Sequence, residues 1–142
     1  MAEWLAALGA HPWAYPMLEV VHIVGIALLL GNLILLEMRV WGVGASIAVA
    51  PLARMALGLV GAGFVLCAVS GLLMFGTMAE ELIANRLFLF KLLLIALAAG
   101  NAVWFHARGS LERLDAMARV LALASTVLWL LVLTCGRWLG YL

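Results

Sequence analysis

Four long apolar runs decide what this chain can become. They lie roughly at Pro16–Met38, Leu52–Met78, Arg86–Ala107 and Met117–Leu139. Each supplies the roughly 20 apolar residues that a helix needs to cross about 30 Å of hydrocarbon. Inside lipid every backbone polar group must find its partner within the protein, which leaves helices or closed barrels. No stretch alternates polar and apolar with a period of two, so the runs read as helices. Pro16 and Pro51 fall at or just before first helical turns, where a missing N–H does no harm. Gly42-Val43-Gly44 and Gly109-Ser110 punctuate the connections. The expected fold is all-α, an integral membrane up-down four-helix bundle forming one domain over residues 1–142.

Composition closes the alternatives. Of 142 residues 68% are hydrophobic and 11% charged, against about 45–50% and about 25% in a soluble domain. A chain this short has no interior able to hide so much apolar surface from water. Eight basic and seven acidic residues leave no cationic footprint for a phosphate backbone, so no nucleic-acid partner is expected. The partner is the lipid bilayer, with room for a second copy or a larger complex. Cys67 and Cys135 sit inside apolar runs without metal-ligand spacing and read as buried thiols.

The segment before the first span carries Trp4, Leu5, Leu8, His11, Trp13 and Tyr15 and reads as a short interfacial piece at headgroup level, with His11 solvated. It lacks the positive start of a secretory signal, so cleavage is not expected. Arg39, Arg54, Arg108, Arg113 and Arg119 flank the first and third connections, while Arg86, Lys91 and Arg137 belong to the other side. The positive-inside rule then makes those two connections cytoplasmic. Both termini would be periplasmic, in a bacterial inner membrane.

Most charges lie at span ends, where snorkelling suffices. Glu19 and Lys91 lie deeper, and an ionisable group inside a span usually faces the bundle and marks a site. His22 follows Glu19 by three residues, on the same helical face. His22 stands about 9 Å beyond Pro16, and Lys91 about 7.5 Å beyond Arg86, on helices entering from the same side. The two should therefore meet at one depth. The second helix reaches that depth near Ser70, Gly71, Met74 and Met78, and the fourth near Thr134, Cys135 and Arg137. Gly63, Cys67, Ser70 and Gly71 form a small-residue face suited to close helix packing or to a groove for a flat cofactor.

A histidine in lipid invites haem b, with His22 as axial ligand. Lys91 then serves as second ligand or pairs with Glu19. Met74 would flank the group, and Arg137 or Arg86 would meet its propionates. The rival metal is copper, drawing on Met17, Met74, Met78, His22 and Cys135 as soft ligands. A third possibility is a cofactor-free accessory subunit. His106 lies 15 residues past Lys91, about 22 Å further along the helix, too far to share a metal with His22. It is expected to pair with Glu37 or to cap the bundle end.

The run from His22 to Asn32, followed by Leu36-Glu37-Met38-Arg39, resembles an uncharacterised family of small four-helix bacterial membrane proteins. So does the stretch from Phe90-Lys91 through Asn101 to Phe105-His106. More distantly, His22 in the first span and the Lys91-Leu92-Leu93-Leu94 run opening the third are similar to the haem-dependent four-helix protoporphyrinogen oxidase. They are similar also to copper-resistance D-type membrane domains. The likeness to the oxidase implies that His22 and Lys91 are an essential pair at a haem. The role expected of such a bundle is electron transfer to or from a quinone or membrane redox partner, or a haem-linked oxidase reaction. Where that oxidase has a histidine- and tyrosine-rich segment after the lysine, this chain has Asn101 and His106.

Overall fold

The computed structural model describes residues 2–142. They form α1 (Ala2–Ala10), α2 (Ala14–Val40), α3 (Val49–Thr77), α4 (Ala79–Ala84), α5 (Arg86–Ala107), α6 (Ser110–Arg113) and α7 (Ala116–Leu139), with no strand among them. α2, α3, α5 and α7 are each long and apolar enough to cross a membrane. The fold is the expected all-α four-helix bundle. In the most apolar window of α2, α3 and α5 only 11% of residues are buried, and 22% in α7, so most of the apolar surface points outward, as a lipid solvent demands.

The helices begin slightly earlier than the apolar runs suggested. α2 starts at Ala14 and α3 at Val49, which puts Pro16 and Pro51 third in their helices, among the N–H positions that have no helical partner anyway. α5 starts at Arg86 because the Asn85 side chain accepts from the Leu87 N–H at 2.9 Å. α7 starts at Ala116 because Asp115 accepts from the Ala118 N–H at 2.9 Å. α3 stops at Thr77 and leaves Met78 outside, followed by the short α4.

The helices run antiparallel in two tight pairs, α2 with α3 and α5 with α7, and α2 also packs on α7. Gly25 and Gly63 set the α2–α3 distance. A Cβ on Gly63 would lie 2.6 Å from the Gly25 carbonyl oxygen and from the Leu29 nitrogen, and one on Gly25 would lie 2.8 Å from the Gly63 oxygen. Small residues allow such approach, and in lipid this contact replaces the hydrophobic drive of a soluble core. Gly63 and Cys67 therefore pack directly against α2, which fills the space a flat cofactor would have needed there.

The pairs join at the end that carries the first and third connections. There Val40, Phe105, Ala118 and Ala122 form one cluster, and Leu36, Ala53 and Ala56 another. Leu94, Val132 and Cys135 hold α5 to α7 nearer the opposite end. At that end the Phe75 and Phe88 rings stack with centroids 5.6 Å apart, linking α3 to α5. The amino-terminal segment is a helix that docks on the end of α3, with Leu5 against Gly76 and Gly9 against Thr77. Trp4 and Trp13 stay exposed, as interfacial aromatics do.

The α5–α7 turn is closed by charge. Arg108 grips Asp115 through both guanidinium nitrogens, at 2.9 and 3.2 Å, and donates to the buried Ser110 hydroxyl at 3.0 Å. Gly109 (φ +66°) permits the reversal, and Leu114 (φ +47°) takes the same left-handed conformation at the far end of α6. The Arg108 hydrogen bonds, helped by the Ala118 N–H, hold the Asp115 carboxyl down to about 2. Arg39 closes the first connection, donating to the Ile47 and Ala45 carbonyls at 2.8 and 3.2 Å.

Candidate functional site

His22 is half-buried where α2 meets α3. Its Nδ1 lies 2.9 Å from Ser70 Oγ, and the Ser70 hydroxyl lies 2.6 Å from the Leu66 carbonyl oxygen. A hydroxyl has one proton and a carbonyl can only accept. The Ser70 proton therefore goes to Leu66, and His22 Nδ1–H donates to Ser70. That fixes the neutral imidazole as the Nδ1–H tautomer with its lone pair on Nε2, the state a metal ligand needs. Ser70 is buried, and Gly71 leaves room for the ring, since a Cβ there would stand 3.3 Å from His22 Cε1. The Cys67 thiol donates to the His22 carbonyl at 3.5 Å.

Lys91 comes from the other helix pair. Its Nζ lies over Gly136, 3.2 Å from where a Cβ would be, and His22, Cys67 and Cys135 all fall within its electrostatic reach. The expected convergence of His22 and Lys91 at one depth is thus present. The pairing of Lys91 with Glu19 is not. Among the described residues the one ion pair is Arg108–Asp115, and Glu19 is exposed on the outer face of α2, beside Tyr15. The period of 3.6 residues explains this: three residues separate Glu19 from His22 by about 60° around the helix, enough to turn one outward.

Met74 is half-buried one turn beyond Ser70. Arg137 is exposed, donates to the Tyr141 hydroxyl at 2.7 Å and lies 4.7 Å from that ring's centroid. Met17 and Met78 are exposed, and Cys135 is buried in the α5–α7 cluster, so the soft ligands proposed for copper are scattered. No group of three or more His, Cys, Asp or Glu among the described residues is placed to hold a metal ion. Haem asks less of a chain, because the porphyrin supplies four ligands and the protein one or two. An imidazole held by Ser70, with an amine lacking an ion-pair partner within its electrostatic reach, is what the chain offers to that demand.

At the opposite end Glu37 does not pair with His106. Its carboxylate accepts from the Thr126 hydroxyl of α7, while His106 is exposed and meets Phe105 edge-on. Sequence reading named Glu37 and overlooked Ser125-Thr126, although two adjacent hydroxyls in an apolar span were the available signal. His11 is exposed as expected, its Nδ1 accepting from the Trp13 N–H at 3.3 Å.

No protein-family model matches the chain, and comparison with curated proteins and with solved structures gave no match. The function must be argued from the residues themselves.

Proposed function

We propose that the chain is a b-type haem protein of the bacterial inner membrane, with His22 as axial ligand through Nε2 and Lys91 as the second. In this reading both termini face the periplasm, and the protein exchanges electrons with a quinone or a membrane redox partner. The single observation that carries it is the Ser70–His22 hydrogen bond, which engages Nδ1 and leaves Nε2 as the nitrogen available to a metal. A bound haem would supply a one-electron couple whose potential is set by axial ligands and surrounding dielectric.

The residues have separable parts in this reading. Ser70 orients the imidazole and keeps its tautomer, as the hydrogen-bond partners of metal-bound histidines do. The small Gly71 and Gly136 give His22 and Lys91 their space. Met74 offers a polarizable wall nearby. Arg137 places positive charge toward the end where propionates would meet water, while Glu19 stands on the outer face of α2. The Leu94, Val132 and Cys135 cluster keeps water from the α5 side.

Metal and porphyrin analysis of protein purified from membranes without chelator tests the proposal. Iron with stoichiometric porphyrin is the expected result. Copper without porphyrin would replace it with the copper reading. Neither metal, together with stoichiometric protein partners, would make the chain an accessory subunit.

A further inference from the structure

At the end of the bundle far from His22, a cavity of about 40 Å³ lies between α2, α3, α5 and α7. Its wall includes Glu37, Leu57 of α3, Asn101 and His106 of α5, and Leu121 and Ser125 of α7. Glu37 is 7% exposed, and its Oε1 is buried with no hydrogen-bond partner. Thr126 satisfies the other oxygen. Leaving a buried carboxylate oxygen unpaired costs several kcal/mol in a low dielectric, so this atom calls for something the cavity holds.

Size and donor chemistry choose what that is. A water needs at least about 10–15 Å³, so the space suits a few waters and excludes any organic headgroup. A hard divalent cation takes about six or more oxygen ligands, and the polar oxygens on this wall are too few. A proton needs one acceptor, and Oε1 is free. Asn101 Nδ2 is committed to the Leu121 carbonyl at 3.0 Å, which leaves its Oδ1 to accept from a cavity water. The Ser125 hydroxyl stands beside Glu37, near enough to act on its carboxyl although it makes no direct hydrogen bond to Oε1. Among the described residues no basic side chain pairs with Glu37 to neutralise its charge, and a bare carboxylate inside a span is costly.

We propose that Glu37 is a reversible proton-binding site, loaded and emptied through water in this cavity from the surface beside His106. His106 is the one other titratable side chain on the wall. It is exposed one residue before α5 ends, so it stands where the cavity approaches the membrane surface. The linings from α3 and α7 carry no ionisable group, and Arg39 on α2 is turned to the Ile47 and Ala45 carbonyls. Glu37 lies 15 residues from His22, about 22 Å along α2. The site therefore stands or falls independently of haem.

Dicyclohexylcarbodiimide tests this on the intact chain in liposomes. The reagent partitions into lipid and adds a protonated carboxyl across its C=N bond, leaving an acylurea that carries the reagent's full mass. Mass spectrometry is expected to find the adduct on Glu37, to see it decline as pH rises, and to see no change when sodium replaces potassium at fixed pH. In a Glu37→Gln variant that adduct is lost, together with the infrared carboxylic C=O band that shifts in D2O. If the variant fails to accumulate, the wild-type labelling decides alone. An unlabelled Glu37, labelling indifferent to pH, or protection by sodium would each overturn the proposal, the last in favour of a metal cation.

Discussion

Gly63→Ala should weaken the bundle although alanine is the better helix former. The new methyl would sit 2.6 Å from two backbone atoms of α2, the Gly25 oxygen and the Leu29 nitrogen, which no rotamer can relieve. Restoring an ordinary contact of 3.4 Å requires the helices to part by about 0.8 Å. Overpacking of this kind costs about 1–3 kcal/mol, against a gain of up to about 1 kcal/mol in helix propensity. A net loss of about 1 kcal/mol follows. The same parting would stretch the 2.9 Å His22–Ser70 hydrogen bond beyond bonding distance. Gly61→Ala is the control, because nothing lies within 4 Å of a Cβ there and the change should be neutral or stabilising. Unfolding in mixed micelles, followed by tryptophan fluorescence, compares the two. If Gly63→Ala proved as stable as Gly61→Ala, the close α2–α3 crossing would be refuted.

Ser70→Ala removes the acceptor that fixes the His22 tautomer; loss of such a partner typically weakens metal binding about 10–100-fold, readable as haem loss to apomyoglobin, and unchanged retention would separate Ser70 from the site. Thr126→Val removes the hydroxyl that donates to the Glu37 carboxylate and should cost about 1–3 kcal/mol in the same micelle assay, whereas Thr134→Val, whose hydroxyl is exposed, should cost far less. The Asp115 carboxyl, depressed to about 2 by Arg108 and the Ala118 N–H, contributes stability that is fully present above its unfolded value of about 3.9. That contribution is lost as pH falls from there through about 2. The thermal midpoint should drop over this acid range, and Asp115→Asn should flatten that part of the profile.

Much of the architecture was readable because lipid imposes one simple rule. Spans must be apolar and long, so four runs of leucine, valine and alanine announced four helices, whereas the caps at Asn85 and Asp115 went unread and emerged only with the structure. The meeting of His22 with Lys91 followed from rise per residue alone. What failed was anything decided by rotation about a helix axis or by partner choice. Glu19 shares a face with His22 at coarse resolution, yet the separation of about 60° between them around the helix turns it outward and away from Lys91. Glu37 took a hydroxyl from α7 rather than His106, since the α2–α7 contact depends on how two helix pairs dock, which no single-span pattern records. The small-residue face of α3 had two readings, and the backbone approach at Gly25 and Gly63 decided for packing. The tautomer of His22 is invisible in the sequence, because it follows from where one serine proton goes.

The central claim is that His22 presents an iron-binding lone pair inside the membrane, and a dithionite-reduced minus oxidised absorption spectrum tests it most directly. Wild-type protein and a His22→Ala variant, extracted from membranes and compared at equal concentration, should differ plainly. The wild type should show a Soret band and the α band of reduced haem b, and the variant should lose them while keeping its helical circular dichroism. A wild type without Soret absorption, or a variant that keeps its haem in full, would contradict the account.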